Sequence, residues 1–161
     1  MSGFQTRMNN DLPIGVAGDF ASANPHFSVV AGEGQFKAGS TGVIVGLFAW
    51  ADDKGLVLNT KTSGSILGFV HRNNQAIIDQ YGAEASMVIP KGREVTLMSG
   101  GDYLVNLVEG GRLGQFIVAD VNTGEAKAVD TIDPNDKAFE ATPYRVAKTV
   151  TSGLTKMSSS L

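Results

Sequence analysis

From Phe27 onward, short apolar runs alternate with small polar turns. Phe27-Ser-Val-Val-Ala31 ends at Gly32-Glu33-Gly34. Val43-Ile-Val-Gly-Leu-Phe-Ala-Trp50 reads as a buried run closed by Asp52-Asp53-Lys54-Gly55. Leu56 to Asn59 and Ile66 to His71 follow, parted by a Thr/Ser/Gly loop. Glu94-Val-Thr-Leu-Met98 alternates, which puts Val95 and Leu97 on one face. Ser99-Gly-Gly-Asp102 turns into Tyr103 to Val108, and Glu109-Gly-Gly-Arg112 turns into Gln115 to Ala119. Asn122-Thr123-Gly124 makes a hairpin-like turn into Glu125 to Ile132. Turn signals at about 8–12-residue spacing, with β-branched and aromatic residues between them, predict a mainly β protein. The expected fold class is all-β, a single small barrel or sandwich.

Two segments break the pattern. Residues 74–81 are the only helical candidate, capped by Asn73 or Asn74, with an irregular loop as the alternative. Residues 1–26 have neither helical nor strand period and contain Asn9-Asn10-Asp11, Pro13 and Asn24-Pro25. Proline and the residue before it favour extended backbone. These residues are expected to form an extended N-terminal arm, followed by a β-rich domain over 27–161. The strand pattern itself runs to about residue 151, and Ser158 to Leu161 are expected to fray. Apolar residues recur along the arm at Phe4, Leu12, Ile14, Val16 and Phe20, which a purely solvated tail would not need. Such an arm either adheres to a partner or packs on its own domain.

Composition narrows the function classes. The 161 residues suit one domain, long enough to bury a core. There is no cysteine, so disulfides, thiolate metal sites and cysteine nucleophiles are excluded. The net charge of -3, from 13 basic and 16 acidic residues, comes with no basic stripe, so neither nucleic acid nor an anionic membrane is an expected partner. No apolar stretch has signal-peptide or membrane-spanning length, and a soluble protein is expected. Charged residues are 18%, against roughly 25% in ordinary domains. Glycine supplies 20 of 161 residues, about 12% against an average of about 7%. Few charges and many glycines suit a turn-rich β protein with surface meant to be covered.

Catalytic patterns are missing. His26 and His71 have no partner at ligand spacing, so no zinc site is expected. His71, beside Arg72 at a strand end, reads as a packing residue. Asp52-Asp53 and Asp133-Pro134-Asn135-Asp136 read as turns stabilised by their own side chains, not as converging carboxylates or a calcium loop. Gly100-Gly101 and Gly110-Gly111 lead into no phosphate loop, and Ser99-Gly100 is no nucleophile elbow. Trp50, the only tryptophan, reads as core. No enzyme, cofactor or metal is expected.

Four stretches go further. They are Gly18-Asp-Phe-Ala-Ser-Ala-Asn-Pro25, Val45-Gly-Leu-Phe-Ala-Trp-Ala51, Gly68-Phe-Val-His-Arg72, and Glu84-Ala-Ser-Met-Val-Ile-Pro90 with Val95-Thr-Leu-Met-Ser-Gly-Gly-Asp102. In this order they resemble the structural cement (capsid decoration) family of tailed phages and prophages. The resemblance covers roughly residues 4–119, with no motif beyond Asp120. It implies a virion protein, made in the host cytoplasm and bound to the outer capsid surface, with no reaction to carry out. The implied partners are the major capsid protein and further copies of the chain, a trimer before a dimer. Phe4, Leu12, Ile14, Phe20, Asn24 and Pro25 are the expected contact residues. The competing readings are a tail, baseplate or head-fibre component, a small carbohydrate-binding or hydrolytic β domain, or a host-encoded β protein acquired with a prophage.

Overall fold

A computed structural model describes residues 14–73, 81–82 and 86–161. Among these residues the chain forms strands and turns and no helix. Except for Tyr81, which lies in a turn, the helical candidate at 74–81 is outside the described residues.

One sheet has six strands in the order β1 (Phe27–Ser28), β8 (Leu97–Gly100), β6 (Ile66–Val70), β4 (Phe48–Ala51), β5 (Leu56–Leu58), β2 (Lys37–Ala38). A second has five, in the order β11 (Ala126–Val129), β10 (Phe116–Asp120), β12 (Phe139–Val146), β13 (Gly153–Ser158), β9 (Asp102–Leu107). A small pair, β3 (Val43–Ile44) and β7 (Val88–Ile89), stands apart. Every strand pairing is antiparallel except β2 with β5. Among the described residues the architecture is sandwich-like, without a closed barrel.

β4 explains why the run around Trp50 is apolar at every position. Successive strand side chains point to opposite faces, and here both faces are buried. Phe48 and Trp50 enter the core between the two large sheets, with Phe69, Tyr103, Ile117, Tyr144 and Met157. Phe48 and its cross-strand partner Phe69 meet edge-on at 5.3 Å. Ala49 and Ala51 face a second core with Val43, Val57, Val70, Val95 and Leu97. The segment before β8 bonds back to β2, with Ala38 N donating to Arg93 O at 2.8 Å and Val95 N to Phe36 O at 2.9 Å. Each large side chain buried in this way contributes about 1.5–3 kcal/mol.

The run Val43–Trp50 is two strands rather than one. Gly46 breaks it at φ +81°, and a Cβ there would stand 2.8 Å from that of Ala17. Gly101, at φ +124°, is the single residue by which the chain leaves β8 in one sheet and enters β9 in the other.

β12 lies in the middle of its sheet although it contains Pro143, which cannot donate to a ladder. A bulge accommodates it: Phe116 pairs with Arg145 and Val118 with Ala141, so β12 spends two extra residues. Thr142 Oγ1 fills the gap by donating to Ile117 O at 2.6 Å.

The C-terminus is not frayed as expected, and strand structure continues beyond residue 151. β13 pairs along its length with β9, Ser158 is buried, and Ser159 N donates to Gly101 O at 3.1 Å.

Candidate functional site

The expected contact residues fall on the N-terminal segment, and the structure shows how its described part, residues 14–26, is held. A turn comes first: Asp19 N donates to Val16 O at 3.1 Å, and Asp19 Oδ2 accepts from Val16 N at 3.0 Å. The segment then runs as an extra strand along the outer edge of β9. Gly18 N donates to Leu104 O at 2.8 Å, Leu104 N to Asp19 O at 2.9 Å, and Ala21 N to Asp102 O at 2.9 Å. Phe20 bridges antiparallel to Tyr103. On the other side, Arg72 N donates to Gly18 O at 2.7 Å, and the Arg72 guanidinium meets Asp19 Oδ1 at 3.1 Å. The segment is therefore a strap between the end of β6 and the edge of β9. Strand addition, anticipated toward a neighbour, occurs at residues 18–21 within the chain.

Asp102 ties down the rest of the strap. Its carboxylate accepts from Ser22 Oγ and Asn24 Nδ2, both at 2.6 Å. Partial burial pushes its pKa up, but hydrogen bonds from Ser158, Ser22 and Asn24 outweigh that and hold it below the ordinary carboxylate value.

Of the expected contact residues, Ile14 is 62% and Phe20 42% exposed, and Pro25 is exposed. Asn24 serves the strap through Asp102. Phe4 and Leu12 lie outside the described residues. Sequence reasoning left Val16, Phe27 and Val30 off the contact set, yet all three are exposed, Phe27 at 63% and Val30 at 87%. Their signal was available: apolar residues at the edge of a β domain, next to the arm.

Phe20 gathers residues far apart in the chain. Its ring centroid is 4.6 Å from that of His26, 4.9 Å from His71 and 5.4 Å from Tyr103. Tyr103 is fully buried, and its hydroxyl donates to Gly100 O at 3.0 Å. His71 packs, as expected of a strand-end histidine. Its Nδ1 is buried without a hydrogen-bond partner.

Elsewhere, Asp52 Oδ1 accepts from Lys54 N at 2.9 Å and Leu56 N at 2.8 Å, and Asp133 Oδ1 from Asn135 N at 2.9 Å. Both are turn-stabilising aspartates. A shallow cleft of about 340 Å³ between the end of β9 and β11 is lined by Leu107, Val108, Ala126 and Phe139. Lys127 and Glu109 pair at 3.0 Å beside it. Among the described residues, no group of His, Asp and Glu converges as a metal site would require.

Two comparisons with known proteins match this chain over nearly its whole length. A family model described as XM1 gp53 minor capsid protein matches residues 4–158. A solved chain in "The capsid of Myoviridae Phage XM1" superposes with a TM-score of 0.59 at 14% identity, over 99% of this chain and 98% of that one. At that identity the likeness is one of fold. No curated protein matches. The class so defined is a structural protein of the tailed-phage capsid. Specifically, the chain belongs to the XM1 gp53 minor capsid protein family.

Proposed function

We propose that the chain is a cement, or decoration, protein that binds the outer surface of the capsid. In this reading it stabilises the expanded shell by bridging major capsid protein subunits. It carries out no reaction, takes no cofactor, and involves neither nucleic acid nor membrane. The observation that carries the reading is the family match over residues 4–158. The strap adds support. It leaves Ile14, Val16 and Phe20 exposed, as is Phe27 at the start of β1, on a protein with few charges, and exposed apolar surface of this kind suits a partner. Residues 1–26 act as the contact arm and 27–161 as the body. Phe4, Leu12, Ile14, Phe20, Asn24 and Pro25 are its contact set.

Many copies on a lattice convert modest contacts into strong attachment. Binding only the expanded shell stabilises that state by mass action. Copies associate with one another on the shell, as trimers rather than dimers. The test is co-sedimentation of the purified protein with expanded and with immature shells lacking it. Binding to expanded shells alone, with a higher shell disruption temperature, supports the reading. Binding to neither overturns it, as does recovery of the protein with isolated tails.

A further inference from the structure

We propose that the contact between Phe20 and His71 is an acid-operated latch, in which protonation of His71 releases residues 14–26 from the edge of β9. The proposal concerns the strap and its own body, so it holds whichever surface meets the shell.

The geometry is that of a closed clasp. Phe20 is the side chain by which the strap grips the body, and its ring lies among His71, His26 and Tyr103. A neutral imidazole packs there as an aromatic ring. A charged one carries a proton on both nitrogens, and His71 Nδ1 is buried with no acceptor. The charged and titratable groups facing it offer no remedy. Asp19, on the strap, already has Oδ1 on Arg72 at 3.1 Å and Oδ2 on Val16 N at 3.0 Å. Arg72, at the end of β6, is itself cationic. The Tyr103 hydroxyl, on β9, already donates to Gly100 O. His26, on the far part of the strap, is a second imidazole against Phe20 and brings no carboxylate to the site. Attraction of an imidazolium to the Phe20 face is the smaller effect, because the charge must first lose its water with nothing to bond Nδ1.

The environment already resists that charge. Burial lowers the His71 pKa below the ordinary histidine value. The Arg72 backbone opposes this, His26 reinforces it and Asp19 opposes it. The bonds that hold the strap to the body are Gly18 N to Leu104 O, Leu104 N to Asp19 O, Ala21 N to Asp102 O and Arg72 N to Gly18 O, with the Asp102 carboxylate accepting from Ser22 and Asn24. Opening them bares a sheet edge, the kind of surface to which another chain adds a strand.

Amide hydrogen exchange on the full chain tests the latch, at about pH 7.5 and about pH 5.5, after correction for intrinsic rates. The protection of Gly18, Ala21 and Leu104 is expected to fall on acidification, by up to about tenfold at one pH unit below the ordinary histidine value of about 6.5, while β10 amides stay protected. His71→Phe, which keeps a ring and loses the proton site, is expected to hold protection at both pH values. His26→Gln is expected to leave the acid response in place. Unchanged protection in the native chain overturns the proposal, and so does an acid response that survives in His71→Phe or vanishes in His26→Gln. If His71→Phe does not fold, the His71 titration in the native chain, followed by NMR, decides. Gly18 protection must fall between about pH 6.5 and that folded-state midpoint and level off below it, and a loss outside that window overturns the latch.

Discussion

The Leu104 amide donates to the Asp19 carbonyl at 2.9 Å, and the Leu104 carbonyl accepts from Gly18. Those bonds make the strap part of the five-stranded sheet. Residues 18–21 are thus the portion of the N-terminal segment that completes the fold.

Two truncations isolate that portion. Removing residues 2–13 is expected to leave the urea midpoint within about 0.5 kcal/mol of the native chain while weakening shell binding. Removing residues 2–21 also deletes four backbone bonds to β9 and Arg72 and the Phe20 contact. That is expected to cost about 4–6 kcal/mol, at about 1 kcal/mol per bond plus the apolar burial. Urea titration of both variants checks it.

Trp50 Nε1 donates to Glu140 Oε2 at 2.5 Å, and Lys61 pairs with the same oxygen at 3.3 Å. Glu140→Ala leaves a buried donor unsatisfied and is expected to cost about 1–3 kcal/mol, with Glu140→Gln closer to native. Because Trp50 is the only tryptophan, its emission follows both the local change and global unfolding.

Gly101→Ala places a side chain at φ +124° with its Cβ 2.8 Å from that of His26. It is expected to destabilise the chain by about 2–3 kcal/mol by straining the corner between the sheets. Thermal unfolding measures the loss.

Stability is expected to fall on acidification in two stages. His71 has a lowered folded pKa, so the unfolded chain takes the proton first. Its contribution is complete above about pH 6.5 and is lost as the pH drops toward the folded value. The Asp102 pKa is also lowered, so its contribution is present above the ordinary carboxylate pKa and is lost as the pH falls through the folded one. Urea midpoints across this range are expected to show both stages in the native chain. His71→Phe is expected to lose only the upper one.

Much of the fold was legible in the sequence because β4, β6, β9 and β10 are apolar runs set off by turn residues. Val95 and Leu97 do share one face, in the second core. β12 and β13 were not read as strands. Pro143 argues against a central strand until the bulge opposite Phe116 and Val118 is known. The split at Gly46 depends on Ala17, which is remote in sequence. The arm was legible as a segment that differs from the rest, but periodicity cannot say whose edge it joins. The cluster of Phe20, His26, His71 and Tyr103 was not visible as a set, because strand pairing alone brings those positions together.

The most direct measurement is a reconstruction of the phage particle at a resolution that traces this chain. The expected result is density on the outer surface of the shell, bridging major capsid protein subunits, with Ile14 and Phe20 against the shell. Density on the inner surface or in the tail would contradict the account. So would a copy on the outer surface whose strap faces solvent.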